Sequence, residues 1–275
     1  MNPHAIRSIS PLAFGRSILA HRSLILNLIK REVIGKYRGS VMGLLWSFFN
    51  PILMLTVYTF VFSVVFKARW QGGGGSRVEF ALVLFAGLLI FNLFSEVVNR
   101  APSLILSNAN YVKKVIFPLE ILPVISLGAA AFHMMISLVV WLGFYLIFFG
   151  IPHASILAFP LILVPLCLQI LGVSWILASL GVYLRDVGQF IGVVTTVLMF
   201  LSPIFYPIGA LPEKYQWFMH FNPLTYIVEE ARNLMIWGKS IDWFEWTIWT
   251  VLSLTFAWLG FSWFQKTRKG FADVL

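Results

Sequence analysis

Six long apolar segments alternate with short polar segments along the chain. They occupy residues 41–66, 80–98, 115–149, 154–184, 187–211 and 246–264. A helix needs about 20 predominantly apolar residues to cross the hydrocarbon core of a bilayer. The pattern therefore predicts an all-α integral membrane protein with six transmembrane helices.

Polar segments precede and follow the six apolar segments. We predict a cytoplasmic N-terminal segment over residues 1–40, a six-span transmembrane domain over 41–264 and a cytoplasmic C-terminal tail over 265–275. The predicted cytoplasmic segments hold 14 Lys and Arg residues, and the predicted outer segments hold 6. Because basic residues accumulate in cytoplasmic loops, this asymmetry predicts that both termini lie in the cytoplasm.

The fifth apolar segment contains residues that interrupt a helix. Pro203, Pro207 and Gly209 fall where the helix should finish. Non-helical backbone at membrane depth survives where it is buried in protein or lines a wet cavity. Two interpretations stay open: a broken, re-entrant helix beside a transport pathway, or a span that ends at Leu201 and continues as an ordinary outer loop. The stretch that follows has room for a second short outer helix around residues 224–237.

The N-terminal segment contains an amphipathic pattern over residues 24–34. Asn27, Lys30 and Arg31 share one helical face, and leucine, isoleucine and valine residues occupy another. Such a pattern is typical of a helix that lies in the membrane interface. A basic anchor that only fixes topology explains the same charges, so both interpretations stay open. A further short helix is expected over residues 102–117, between the second and third apolar segments.

The composition agrees with a membrane protein and disfavours several soluble classes. Hydrophobic residues make up 59% of the 275 residues, charged residues make up 11%, and the mean hydropathy is +0.86. A soluble domain carries about 25% charged residues, so an ordinary soluble enzyme, a coiled coil and a disordered chain are disfavoured. The net charge of +9 is attributed to loop topology, and no nucleic-acid partner is expected.

The sequence offers no recognisable catalytic, metal or cofactor motif. Residues 237–240 (WGKS) resemble the end of a phosphate-binding loop, but Asn233 stands where its first glycine is required. His133 has no second histidine at metal-ligand spacing, which favours a packed histidine. Cys167 is the single cysteine and forms no internal disulfide. The run Gly72–Gly75 is typical of a flexible loop. We expect no catalytic residue, no metal and no bound cofactor.

An integral membrane enzyme, such as a glycosyltransferase acting on a lipid carrier, is an alternative of a different class. It requires a carboxylate or metal cluster at one membrane face. The acidic residues available for such a cluster are Glu229, Glu230, Asp242 and Glu245. They have no recognisable spacing and are predicted to lie on the outer side. The apolar segments hold few ionisable groups, which argues against a proton- or sodium-coupled carrier.

Several stretches together resemble one known family. They are YRGSVMGLLWSFFNP at residues 37–51, FALVLFAGL at 80–88, LRDV at 184–187, and SPIFYP at 202–207 followed by NPLT at 222–225. In this order they are similar to the membrane subunits of type-two ABC exporters for cell-surface polysaccharides, and most similar to O-antigen exporter permeases. Permeases for capsule or teichoic acid are alternatives, and so is a permease of the same class for a small lipid or a drug.

The resemblance implies a larger assembly in the bacterial inner membrane. Two copies of the chain would form a channel as a homodimer, and two copies of a separate cytoplasmic ABC ATPase would drive it with ATP and Mg²⁺. The chain itself would hold no ATPase site. The substrate would be a polysaccharide linked to a polyprenyl pyrophosphate lipid, moved from the cytoplasmic to the outer face.

The resemblance also implies roles for individual residues. The interfacial helix and the loop after the second span would couple the chain to the ATPase, through Lys30, Arg31, Glu32, Asn108, Tyr111, Lys113 and Lys114. Pro203, Pro207 and Gly209 would belong to an outer gate. Arg38, next to the start of the first span, is expected to attract the lipid pyrophosphate.

Aromatic side chains are the candidates for the transport path, because sugar rings stack on aromatic faces without strong directionality. Aromatic residues number 45 of 275. The candidate channel rings are Trp46, Tyr58, Trp141, Tyr145, Phe205 and Tyr206. Packing between helices or at the membrane interfaces is the competing explanation for each of these rings.

Overall fold

The computed structural model of this chain describes residues 10–65, 70, 77–113 and 117–275. Within these ranges the chain forms twelve α-helices joined by short turns, and it forms no strand. In chain order the helices are α1 (Pro11–Ala20), α2 (Arg22–Lys36), α3 (Trp46–Tyr58), α4 (Arg77–Arg100), α5 (Ala109–Lys113), α6 (Leu122–Phe149), α7 (Phe159–Tyr183), α8 (Val187–Leu201), α9 (Glu213–Phe221), α10 (Pro223–Met235), α11 (Trp243–Thr267) and α12 (Phe271–Val274). The predicted all-α architecture is confirmed. The predicted glycine-rich loop lies outside the described residues.

Five helical stretches of the described chain are long and apolar enough to cross a membrane. They are Gly43–Phe62, Val78–Ser103, Leu119–Phe149, Ala154–Tyr183 and Trp243–Val274. These stretches match the first, second, third, fourth and sixth apolar segments of the sequence. A multi-pass membrane protein is therefore established by length and apolar character.

The fifth apolar segment differs from the predicted span over residues 187–211. It forms α8, a helix of 15 residues that ends at Leu201. Ser202 takes an extended backbone with ψ of 150°, because the ring of Pro203 disfavours the helical conformation of the residue before it. Ser202, Pro203 and Ile204 are all buried, so this non-helical segment lies within the protein.

Helix α4 forms the centre of the fold. In the stretch Val78–Ser103, 83% of the most apolar window is buried, against 11% in the stretch Gly43–Phe62 that contains α3. The chain therefore leaves most of α3 uncovered. An apolar face of this extent requires lipid or another protein surface beside it.

Close glycine contacts hold α7 against α11. A Cβ atom on Gly260 would overlap the backbone of Gly172, and a Cβ atom on Gly172 would lie 2.7 Å from the ring of Phe256. Without hydrophobic driving force in lipid, such close approach of backbones is a main source of helix association. The two helices bring the sixth apolar segment against the fourth.

Helix α2 includes the whole predicted amphipathic segment, residues 24–34. Its apolar stripe faces the protein: Ile25 and Val33 are buried, and Ile29 packs on Gly128 of α6. Leu26 and Ile34 lie outside this stripe and are exposed. Packing against α6 thus accounts for one face of the predicted amphipathic pattern.

Candidate coupling surface and transport cavity

A polar surface forms where α2 meets the end of α4 and the following loop. Arg31 donates from Nη2 to the Tyr111 hydroxyl over 2.8 Å, and Glu32 forms an ion pair with Arg100. The ring of Tyr111 stacks on Phe117, with 4.3 Å between centroids. The N-terminal segment is thereby joined to both α4 and α5. We call these contacts the coupling surface.

The coupling surface contains a small cavity of about 170 Å³, whose lining includes Arg31, Glu32, Arg100, Asn108 and Tyr111. The Asn108 amide is oriented by donation to the Leu104 carbonyl oxygen over 2.9 Å. Burial raises the pKa of the Glu32 carboxyl, and the neighbouring Arg100 opposes this effect. A partly buried carboxyl near Arg100 and Arg31 therefore makes this end of the fold polar.

The structure brings together four of the seven predicted coupling residues. Arg31, Glu32, Asn108 and Tyr111 line one cavity, whereas Lys30 is exposed on α2. Lys113 is the last residue of α5, and Lys114 lies outside the described residues. The cavity therefore joins two distant segments of the chain, because Arg31 and Tyr111 are 80 positions apart in sequence.

A larger cavity of about 430 Å³ lies between α3, α4 and α6. We call it the inner cavity. Trp46, Asn50 and Tyr58 line it from α3, and Asn92 and Ser137 line it from the facing helices. Its volume falls in the range of small-molecule sites, about 300–1,000 Å³. The amides of Asn50 and Asn92 and the rings of Tyr37, Trp46, Tyr58 and Phe85 give it surfaces for both hydrogen bonding and stacking.

Three ionisable side chains meet at one side of the inner cavity. Lys36 Nζ lies 2.7 Å from Glu96 Oε1, and His133 Nδ1 lies 2.9 Å from the same oxygen. The sequence favours a packed role for His133. The structure adds two polar neighbours, the Glu96 carboxylate and the Lys36 ammonium. In the part of the chain that the structure describes, no group of three or more His, Cys, Asp or Glu side chains could hold a metal ion.

The six predicted channel aromatics form three pairs, and the ring of Phe62 lies between Tyr58 of the first pair and Phe205 of the third. Trp46 and Tyr58 line the inner cavity. Trp141 is fully buried, donates from Nε1 to the Leu82 carbonyl oxygen over 3.0 Å and stacks on Tyr145 with 5.0 Å between centroids. The structure thus gives Trp141 a packing role between α6 and α4.

The third aromatic pair lies after α8. The ring of Phe205 stacks on Phe62 with centroids 5.6 Å apart, and the Tyr206 hydroxyl donates to the Phe200 carbonyl oxygen over 2.9 Å. Pro207 precedes a short turn that contains Gly209, which is exposed. Arg38, the predicted pyrophosphate ligand, is exposed just beyond the end of α2.

A buried arginine holds the segment that follows α8 in place, and the sequence analysis does not predict it. We call this segment, residues 202–212, the outer segment. Arg232 is completely buried on α10 and donates to the carbonyl oxygens of Val83 at 3.1 Å, Pro203 at 2.5 Å and Ile204 at 2.8 Å. It also ion-pairs with Glu229 at 2.8 Å. A sequence signal exists, because Arg232 falls on the apolar face of the α10 pattern. That face should be buried, so a charge there indicates a specific set of partners.

The outer acidic residues are engaged in local structure. Glu229 pairs with Arg232, Glu230 accepts from the Asn233 side chain over 3.1 Å, and Asp242 accepts from the backbone of Phe244 over 2.9 Å at the start of α11. Glu230 and Asp242 lie near each other, because the Asp242 backbone N–H donates to Glu230 Oε1 over 3.4 Å. Among the residues that the structure describes, these carboxylates form no group of three that could hold a metal ion.

Comparison with known proteins matches this architecture to a family. The family described as ABC-2 type transporter matches residues 23–236, a range that includes the coupling surface, the inner cavity and the buried Arg232. The predicted resemblance to the membrane subunits of type-two ABC exporters is confirmed at this level.

Individual relatives align over nearly the whole chain. The O-antigen export system permease protein RfbA of Klebsiella pneumoniae is 26% identical over 259 residues, which cover 92% of this chain and 95% of that protein. The protein of the same name from Myxococcus xanthus is 25% identical, with coverage of 94% and 98%. The polysialic acid transport protein KpsM of Escherichia coli is 24% identical, with coverage of 77% and 80%. With its multiple membrane-spanning helices and this match over most of its length, the chain belongs to the ABC-2 type transporter family.

Proposed function

We propose that this chain is the permease subunit of an ATP-driven exporter in the bacterial inner membrane. Its substrate is an O-antigen-type polysaccharide linked to polyprenyl pyrophosphate. The observation that carries the proposal is the end-to-end similarity to O-antigen export permeases from two organisms, with at least 92% of this chain covered in each alignment. A relative named as a capsule polysaccharide export inner-membrane protein covers 96% of the chain at a lower identity of 22%, so a capsule permease is the second candidate. Teichoic-acid and small-lipid or drug permeases are further alternatives.

Two copies of the chain form the transport path in this proposal. The uncovered side of α3 supports a homodimer, and α8 adds a second exposed apolar face that includes Phe190, Val193 and Val197. Together these faces offer a large apolar surface for a second copy. The channel then lies between the copies, and the inner cavity opens from α3 toward it.

The proposed topology has six membrane crossings, with α8 as the fifth. At a rise of 1.5 Å per residue, 15 residues extend only about 22 Å, which is less than the ~30 Å hydrocarbon core. The buried segment from Ser202 to Ile204 supports a re-entrant completion of this crossing, because its irregular backbone is enclosed by protein. Pro203, Pro207 and Gly209 form the outer gate in this proposal. The 14-to-6 distribution of basic residues supports cytoplasmic termini over 1–40 and 265–275.

The coupling surface is the proposed contact with the ATPase. The partner supplies the ATP site and Mg²⁺, two copies of it act on two permeases, and the permease holds no cofactor. Lys30, Lys113 and Lys114 are included in this proposed contact, together with Arg31, Glu32, Asn108 and Tyr111, which line the cavity of the coupling surface. ATP-driven closure of the partner displaces this surface and, through α2, the membrane helices.

The glycan path uses aromatic side chains in this proposal. Trp46 and Tyr58 are the strongest candidates, because they line a cavity that also offers amide hydrogen-bond donors. Phe205 and Tyr206 lie near the outer gate, and Tyr145 lines a separate cavity of about 290 Å³ with Glu79 and Trp237. Trp141 supports this path from within the helix packing. Arg38 attracts the pyrophosphate of the lipid at the inner leaflet.

Complementation tests the proposal directly. The chain and the ATPase encoded beside it are expressed in cells that make the lipid-linked O-antigen but lack its exporter. We expect glycan to reach the outer face, and an ATPase variant without its phosphate-loop lysine to leave the glycan inside. Export of a lipid-linked capsule polymer instead of O-antigen would replace the proposal with its second candidate. Accumulation of both polymers inside would reject it.

A further inference from the structure

Two ion pairs with opposite polarity join α2 to α4. Glu32 of α2 pairs with Arg100 of α4, and Lys36 of α2 pairs with Glu96 of α4 at 2.7 Å. On each helix the two charged residues are four positions apart, which places them on one face. The lower-numbered residue of α2 meets the higher-numbered residue of α4, so the helices run antiparallel along this seam.

The order of charges along the seam opposes sliding of one helix on the other. A shift by one turn, about 5.4 Å, would bring Glu32 toward Glu96 in one direction. In the other direction it would bring Lys36 toward Arg100. Like charges would meet in both cases, and the pairing observed in the structure would be lost. The crossed pairs therefore specify one register of α2 on α4.

Stability alone is a poor explanation for these pairs. The side chains of Lys36 and Arg100 are 52% and 45% exposed, and those of their partners Glu96 and Glu32 are 36% and 19% exposed. Ion pairs that solvent reaches in this way contribute little to folding free energy. Apolar contacts already attach α2 to the fold, through Ile29 on Gly128 of α6. The pairs add a directional constraint that apolar packing does not supply.

The same helix contacts the loop after α4. Arg31, next to Glu32 on α2, donates to Tyr111 of α5 over 2.8 Å. At the other end of the seam, Glu96 also contacts His133 of α6 at 2.9 Å and lines the inner cavity. Separate polar contacts, linked through the backbone of α2, thus extend from α5 to the side of the inner cavity.

We propose that Glu32, Lys36, Glu96 and Arg100 are positioning residues that lock α2 in register on α4, so that a displacement of α5 moves both helices and the inner cavity together. This inference rests on the proposed function, because it requires an ATPase that displaces α5. It concerns how the permease transmits motion within itself, and it assigns a task to Lys36 and Glu96, which lie outside the coupling surface.

The test uses the complete complex of permease and ATPase in vesicles that contain lipid-linked glycan. Glycan moved per ATP hydrolysed is the readout, together with thermal unfolding and the amount of bound ATPase. We expect Glu32→Arg and Arg100→Glu alone to lower the transport ratio about fivefold or more, the lower end of typical coupling between sites. The double variant Glu32→Arg with Arg100→Glu re-forms both ion pairs but gives each helix a single sign of charge, so a one-turn shift is no longer opposed, and it should recover thermal stability without recovering the ratio. Adding Lys36→Glu and Glu96→Lys restores the crossed order of charges and should restore most of the ratio. Lys269→Glu, a charge reversal at an exposed cytoplasmic position, should leave it unchanged.

A crosslink separates register from simple structural support. In a Cys167→Ser background, cysteines replace Glu32 and Arg100 and are joined by a short thiol crosslinker. If a fixed register transmits motion, the crosslinked complex should transport more glycan per ATP than the same variant before crosslinking. An inactive crosslinked complex would show that α2 must slide and would overturn the inference. Single reversals that lower thermal stability but not the transport ratio would also overturn it. Failure of the unaltered complex to move glycan would instead reject the proposed function.

Discussion

Nη1 of Arg232 lies 2.5 Å from the carbonyl oxygen of Pro203, so a fully buried cation holds the residue at which the outer segment departs from a helix. The same guanidinium contacts Val83 on α4 and lies over the ring of Trp70 at 4.4 Å. One side chain of α10 therefore fixes the outer segment against the central helix. The guanidinium donates from three nitrogen atoms and lays its planar face on the Trp70 ring, and the ammonium group of lysine cannot reproduce this geometry.

Replacing Arg232 with methionine should destabilise the protein by about 2–5 kcal/mol, because buried carbonyl groups of the outer segment lose their donor. Thermal unfolding in detergent measures the effect. Arg232→Lys should recover only part of the loss, and Arg185→Met, at an exposed position, provides the matched control. Equal unfolding temperatures for Arg232→Met and Arg185→Met would contradict the assigned role.

Gly260→Ala should separate α11 from α7 and cost about 1–3 kcal/mol, as overpacking does in other close contacts. The added Cβ atom would overlap the backbone of Gly172, which cannot rotate away as a side chain can. Gly143→Ala is the control, since nothing lies within 4 Å of a Cβ atom there. The control should be neutral or slightly stabilising, since alanine favours the helix. Circular dichroism during heating distinguishes the two variants.

The two tryptophans predicted to line the glycan path should behave differently. Trp141 is fully buried, so Trp141→Ala should cost about 3–5 kcal/mol and reduce the amount of folded protein. Trp46 is 44% exposed in the chain and lines the inner cavity, so Trp46→Ala should fold normally and reduce glycan export. Surface glycan is measured relative to the amount of folded permease in the membrane. Normal export by folded Trp46→Ala would remove this residue from the path.

Tyr111 links α5 to α2 through its hydroxyl and packs on Phe117 through its ring. Tyr111→Ala removes both contacts and should abolish the stimulation of ATP turnover by glycan. Tyr111→Phe keeps the ring and should give an intermediate value. The measurement is ATP turnover of the purified complex with and without lipid-linked glycan. Full stimulation in Tyr111→Ala would exclude this loop as the coupling element.

The membrane helices could be predicted from sequence because lipid offers no hydrogen-bond partners to the backbone. Long apolar segments must then satisfy their backbone internally, and a helix does so. Five of the six predicted segments form helices of spanning length. The fifth is shorter because Pro203 ends the helix at Leu201, a consequence of local sequence that hydropathy does not contain.

The partners of individual side chains could not be predicted in the same way. Periodicity gives the face of each helix but not which faces meet across the fold. His133 and Glu96 are 37 positions apart, and Arg232 and Val83 are 149 positions apart. The resemblance grouped Arg31 with Tyr111 as coupling residues, and the structure adds the direct hydrogen bond between them. Arg232 was counted among outer basic residues, although its place on the apolar face of α10 indicated burial.

The most direct test of the account is purification of the chain together with the ATPase encoded beside it. The complex is captured through the permease, its stoichiometry is measured by mass, and its ATP turnover is measured with and without lipid-linked O-antigen. The account predicts two permeases with two ATPases and a turnover that rises when the glycan is added. A permease that purifies without any ATPase, or a complex whose turnover ignores every lipid-linked glycan tested, would contradict the central claim.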